Sequence, residues 1–192
     1  MSEMSLTFFR VTTDPDRFQF LLTDREDEYR FDGRRYGDRW VPPPVYSYKP
    51  RLKESDFWDF GMGVCGVAWA VRPEAFEKAP ELRPVLQAAG ELLPLPFDGR
   101  EFELFNVTEC IDALDKGSTT WDYYDDGSLA DVADPVFRID RLGANVFKVP
   151  EDSSMRIYLW EDDAWHEHLR GLVERYRLTG LVFTRLYTTS ST

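Results

Sequence analysis

At 192 residues, 43% hydrophobic and 15% aromatic, the chain can bury one proper core without disulfide or metal staples. Its formal charge of −12, from 35 acids against 23 bases, opposes binding to nucleic-acid phosphates and favours a basic partner. The two cysteines, Cys65 and Cys110, make neither a disulfide framework nor a structural zinc site. No window reaches the ~18 apolar residues of a membrane span.

The opening MSEMSLTFF lacks a basic region followed by a long apolar run, so a soluble, cytoplasmic protein is expected. Leu6–Val11 and Phe18–Leu22 read as short strands joined by a turn over 12–16. Glu26–Arg39 mixes both charges with Tyr29, Phe31 and Tyr36 and reads as a solvated hairpin or loop. Trp40-Val41-Pro42-Pro43-Pro44 is neither helix nor central strand, because three successive residues lack an N–H. An extended segment packed across the surface is expected there. The glycines at 61, 63 and 66 resemble a phosphate loop only superficially, since no Lys-Ser/Thr follows. They read as a turn into a buried strand, Val67–Val71.

Pro73 occupies a favoured first-turn position, and Leu82, Val85, Leu86 and Ala89 recur at helical spacing, with Gly90 as a C-cap. Leu92, Leu93, Leu95 and Phe97 then lead into Asp98-Gly99, and Phe102, Leu104, Phe105 and Val107 lead out. Asp-Gly between apolar runs predicts a hairpin with a type I′ turn. Pro94 and Pro96 cannot donate to a ladder, which places that arm at a sheet edge. The segment from Lys116 to Pro135 is rich in turn formers and reads as a long loop or irregular hairpin. Strands are expected again at Val136–Ile139, Val146–Val149 and Ile157–Trp160. Glu161, Asp162 and Asp163 then sit at the start of the clearest helix. Its apolar face is Trp165, Leu169, Leu172, Val173 and Tyr176. Thr179-Gly180 ends it, Leu181–Tyr187 forms a closing strand, and the TTSST tail is expected to fray. Together these elements predict one α+β domain over 1–192, of antiparallel strands and a few helices, the clearest near the C-terminus.

Candidate chemistries are sparse. His166 and His168 would point about 200° apart on a helix, so they cannot share a metal ion. No partner serine marks a nucleophilic system, and Asp122, Asp125 and Asp126 lack the EF-hand pattern. No cofactor or metal site is read, and no enzyme activity is expected. The acids, however, are unevenly placed. Residues 1–50 carry nine acids and eight bases, whereas 101–150 carry eleven and four. Within this second block, Trp121, Tyr123 and Tyr124 are interleaved with Asp122, Asp125 and Asp126, followed by Asp131 and Asp134. Aromatic anchors among charges are what recognition surfaces use. The competing reading is that the rings plug the core beneath a solvated loop.

Five ordered blocks add a resemblance: ELLPLPF, FELFNVTECIDALD, VFKVP, IYLW and RLTGLVF. Over residues 64–186 these are similar to the bacterial polymorphic-toxin immunity protein family, in the group with a Myxococcus founder; residues 1–60 match it less clearly. The resemblance implies a non-enzymatic protein that binds and neutralises a cognate secreted toxin. Covering the toxin's basic active-site cleft with the acidic, aromatic face is the expected mode. The alternatives from other classes are a small carboxylate-dependent hydrolase and a structural adaptor of a secretion system.

Overall fold

Both faces of the first strand, β1 (Ser5–Thr13), are apolar, so the sheet that holds it needs a cover on each side. Leu6 and Phe8 are buried in one cluster, and Phe9 and Val11 in another. The computed structural model describes residues 5–14, 21–25, 28–47, 53, 57–63, 66–152 and 155–190. Phe18–Phe20 of the expected second strand, and Cys65, lie outside these.

The remaining elements, in chain order, are β2 (Leu21–Leu22), β3 (Tyr46–Ser47), β4 (Phe60–Met62), β5 (Trp69–Val71), α1 (Pro73–Lys78) and α2 (Leu82–Ala89). The hairpin β6 (Gly90–Phe97) and β7 (Arg100–Val107) follows, then β8 (Thr120–Tyr123) and β9 (Leu129–Asp134). The chain continues through β10 (Val146–Phe147), β11 (Ile157–Glu161), α3 (Leu169–Tyr176) and β12 (Leu181–Ser190). One four-stranded antiparallel sheet has the order β10-β11-β1-β12 and the other β4-β5-β7-β6. This is the α+β fold expected from the sequence.

The central core lies between the two sheets and the helices. Phe9, Val11, Ile157 and Leu159 of the first sheet meet Phe60, Trp69, Val71, Phe105 and Val107 of the second. Leu82, Leu86 and Ala89 of α2 and Leu169, Leu172 and Val173 of α3 complete it. The far face of the second sheet carries Ala68, Ala70, Leu93, Leu95, Phe102 and Leu104, covered by Tyr29 and Phe31. The far face of the first sheet carries Leu6, Phe8, Phe147 and Tyr158, covered by Ala113, Leu114, Val132 and Phe137.

The 90–107 hairpin stands as expected. Asp98 and Gly99 both have positive φ, 51° and 71°, as a type I′ turn requires. Strand β6 is the sheet edge, and Pro94 and Pro96 are exposed on it. The Trp40 indole N–H donates to the Pro94 carbonyl at 2.8 Å, which lays the proline-rich segment along that edge.

Elsewhere the structure corrects the sequence reading. Leu21–Leu22 pairs with β3 rather than with β1, which lies between β11 and β12. Tyr29 and Phe31 are buried, so the 28–45 segment is a cover for the second sheet rather than a solvated loop. Gly90 leaves α2 in an extended conformation that any residue adopts (φ −172°). A Cβ there would overlap the Asn106 carbonyl oxygen, so the close crossing of β6 over β7 requires the glycine. Residues 136–139 form no strand, only a bridge between Leu114 and Phe137 followed by a 3-10 turn at Ile139–Arg141. Glu161 ends β11 instead of starting a helix; a 3-10 turn (Trp165–Glu167) and extended His168 precede α3. The tail is ordered as strand through Ser190, with Ser5 opposite Ser190.

One buried charge joins separate parts of this fold. Lys148 is fully buried, and its ammonium donates to the carbonyls of Phe31 at 2.8 Å and Val67 at 2.9 Å. Burial lowers its pKa to about 8, against the opposing pull of Cys110, Asp152 and Asp32. The unfolded chain holds this proton up to its ordinary value of about 10.4. The burial penalty is therefore fully present below about pH 8 and is relieved as pH rises above that.

Two stability measurements follow. Urea unfolding is expected to show stability rising by about 1–3 kcal/mol between pH 8 and 10, relative to a Lys148→Met variant, which lacks that slope. A flat difference between the two proteins over that window would contradict the assignment. Gly180 has φ 100° and a Cβ there would overlap the Phe60 carbonyl, whereas Gly127 has φ 80° and open space around it. Gly127→Ala is expected to cost about 1 kcal/mol of backbone strain, and Gly180→Ala at least about 2 kcal/mol more, in thermal or urea unfolding.

Candidate functional site

The acidic, aromatic segment is the irregular hairpin β8–β9, mounted on the outer face of the first sheet. Its base is stapled by short-range polar contacts that its composition makes available. The Asp115 carboxylate accepts from the Gly117 N–H at 3.1 Å and the Ser118 hydroxyl at 2.9 Å, and these bonds hold its pKa below the usual carboxylate range. Thr119 exchanges hydrogen bonds with Val136: its hydroxyl donates to the carbonyl at 3.3 Å and accepts from the N–H at 3.1 Å. The ladder then pairs Thr120 with Asp134, Trp121 with Val132, Asp122 with Asp131 and Tyr123 with Leu129. Register shifts interrupt it between Thr120 and Trp121 and again between Asp122 and Tyr123. Such bulges raise the local twist and re-aim the side chains beyond them.

Alternation divides the hairpin into a rooted part and a presented part. Val132 is fully buried and Trp121 is half-buried against the cluster around Phe8 and Phe137, with its indole N–H on the Lys116 carbonyl at 3.3 Å. Asp131, opposite Asp122 on the other face, is half-exposed but engaged. It pairs with Arg156, whose guanidinium also donates to the Val132 carbonyl, clamping β9 to the segment that leads into β11. Asp126 is used within the turn, accepting from the Ser128 hydroxyl at 2.6 Å and the Ser128 N–H at 2.9 Å, which holds its pKa low. The Gly127 N–H closes the turn on the Tyr124 carbonyl at 2.9 Å.

What remains is presented to solvent. Tyr123 is 62% and Tyr124 63% exposed, and Leu129 across the ladder is exposed beside them. The carboxylates of Asp122, Asp125 and Asp134 are exposed and form no hydrogen bond or ion pair with any described residue. The bases nearest in sequence are already engaged: Lys116 with Asp112 and Glu151, Arg138 and Arg141 with Asp140, and Arg156 with Asp131. The tip therefore keeps its negative potential while the base of the hairpin is locally neutral.

Of the eight residues expected at this site, the structure brings Asp122, Tyr123, Tyr124 and Asp125 together at the tip, with Asp126 shaping the turn between them. Trp121 and Asp131 anchor the hairpin instead, so for Trp121 the core-plug reading is the better one. Asp134 sits at the far end of the ladder, opposite Thr120. Sequence reasoning missed Leu129. A lone leucine in a Gly-Ser-Leu-Ala run carries no periodic signal, and only the register places it beside Tyr123.

Two other polar clusters tie elements of the fold together. Glu161 is buried and its carboxyl pKa is raised by burial, but Arg170 grips both of its oxygens at 2.9–3.1 Å through Nε. That arrangement ties α3 to β11. Asp59, also buried, accepts from the Thr179 N–H and hydroxyl, both at 2.8 Å, and from Lys78 at 2.7 Å, and so ties the end of α3 to β4 and α1. Among the described residues no group of three or more His, Cys, Asp or Glu side chains could hold a metal ion, and no helix is long and apolar enough to cross a membrane.

No protein-family model matches the chain, and no curated protein matches it either.

Proposed function

We propose that the protein is a binding inhibitor, an immunity protein that neutralises a cognate secreted toxin by seating the β8–β9 tip on a basic face of that toxin. The observation that carries this reading is the coincidence of two exposed tyrosines with unpaired carboxylates on a hairpin rooted in the core. Tyr123 and Tyr124 offer large contact areas that lose only two torsions each on binding. Asp122 and Asp125 supply steering toward a cationic cleft, and the overall charge of −12 adds to the pull. The Trp121, Val132 and Asp131–Arg156 contacts hold the hairpin in place before a partner arrives, which reduces the ordering entropy of docking. The likeness of the five sequence blocks to those of the polymorphic-toxin immunity family supports the choice of a toxin as the partner. Such a protein acts by occupying the toxin inside the cell that makes it, and it performs no chemistry of its own.

The test is binding to the product of the neighbouring reading frame, measured over a range of salt. Asp122→Asn together with Asp125→Asn is expected to slow association by about tenfold at low salt and to flatten its salt dependence. Tyr123→Ala together with Tyr124→Ala is expected to raise the dissociation rate, at about 1–2 kcal/mol per ring. All four residues are exposed, so the melting temperature should hold in both variants. Unchanged affinity in both would overturn the placement of the interface on this hairpin.

A further inference from the structure

The first sheet ends unevenly. Strand β1 runs two residues past its last partner in β11, from Val11, opposite Ile157, to Thr13. A cavity of about 130 Å³ opens at this corner, bounded on its other side by β4 and β5 of the second sheet. Val11, Trp69 and Ile157, all buried, line it together with Arg10 and Arg156. Arg10 stands opposite Tyr158, so Arg156, two residues before Tyr158, falls diagonally from Arg10, within reach of a long side chain. The two cations are differently committed. Arg156 is neutralised by Asp131 and also donates to the Val132 carbonyl. Arg10 makes no hydrogen bond or ion pair with any described residue, and its Nε is buried without an acceptor. A guanidinium N–H held out of water calls for one. Among the described residues that line the cavity none is acidic, in a chain where acids outnumber bases 35 to 23. The site therefore offers one net positive charge and no carboxylate of its own to meet it.

We propose that this cavity binds a small organic monocarboxylate, held by the Arg10 guanidinium with its apolar body against Trp69 and Ile157. Charge, shape and size all point to that class. One uncommitted guanidinium matches one negative charge, and its planar fork suits the two oxygens of a carboxylate. A dianion such as sulfate would keep a second charge uncompensated beside apolar walls. The volume, about 130 Å³, is close to the roughly 150 Å³ that encloses a benzene ring in a protein interior, so the body is limited to one ring or a short chain. Met62 and Met155 also line the cavity, and unbranched thioethers adjust to bodies of different outline. This site does not rest on the role of the β8–β9 tip.

Titration with benzoate and butyrate at constant ionic strength tests it, with benzyl alcohol as an uncharged analogue and sulfate as an inorganic anion. At least one of the two carboxylates is expected to bind saturably below about 10 mM, and at least about tenfold more tightly than either control. Arg10→Met should weaken that binding at least about tenfold while the melting temperature without ligand holds, because Arg10 has no partner to lose. In the unmodified chain, the methyl NMR signals of Met62 and Met155 should shift together along the same titration, a readout independent of any variant's folding. Benzyl alcohol binding as tightly as benzoate would reduce the site to an apolar cavity, and sulfate binding more tightly than both carboxylates would make it an inorganic-anion site. Either result, or binding of neither carboxylate, which leaves water as the partner of Arg10, would overturn the proposal.

Discussion

The requirement that β1 be dry on both faces governs most of what surrounds it. Phe8 and Phe9 are neighbours in sequence and point in opposite directions, yet both are buried. A strand alternating polar and apolar residues would have needed one cover. This one needs two, and the chain supplies them from different places: the second sheet and the helices on one side, and the 111–137 segment on the other. Each large ring so buried stabilises the fold by roughly 1.5–3 kcal/mol, so neither cover is dispensable. The presented hairpin is therefore an outgrowth of a structural layer. Its root, Trp121 and Val132, closes the cluster around Phe8, and only its tip stands clear in solvent.

The same division explains the electrostatics of the acidic half. Carboxylates near the sheet are committed: Asp115 to the turn after it, Asp131 to Arg156, Asp140 to two arginines. Paired in this way, they contribute geometry and little net field. The field comes from the few acids on the tip that have no cation nearby. Counting acids along the sequence locates an acidic segment and overstates how many of its carboxylates are free of a partner within the chain.

How much was legible in the sequence follows from how local each signal is. The 90–107 hairpin was readable because Asp98-Gly99 demands one turn geometry and the prolines demand an edge. The helix of Leu82–Ala89 and the strands at Leu6, Ile157 and Leu181 were readable from apolar periodicity. The 28–45 layer was not, because Tyr29 and Phe31 sit among charges and are buried by a sheet that lies more than thirty residues away in sequence. The start of the last helix was misplaced for a similar reason. Glu161 looks like a first-turn acid until Arg170 is seen to draw it into the end of β11. At the candidate site, composition singles out the segment that the structure shows as an exposed acidic hairpin. Which rings root the hairpin and which stand clear depended on a register broken by two bulges, and no spacing rule reveals that.

Lys148 has one more consequence. Its ammonium bridges the cover of the second sheet, through Phe31, to the turn before β5, through Val67, and its own backbone belongs to the edge of the first sheet. One side chain thus spans three separate parts of the fold, and losing either acceptor while the ammonium stays out of water would leave a buried charge underbonded.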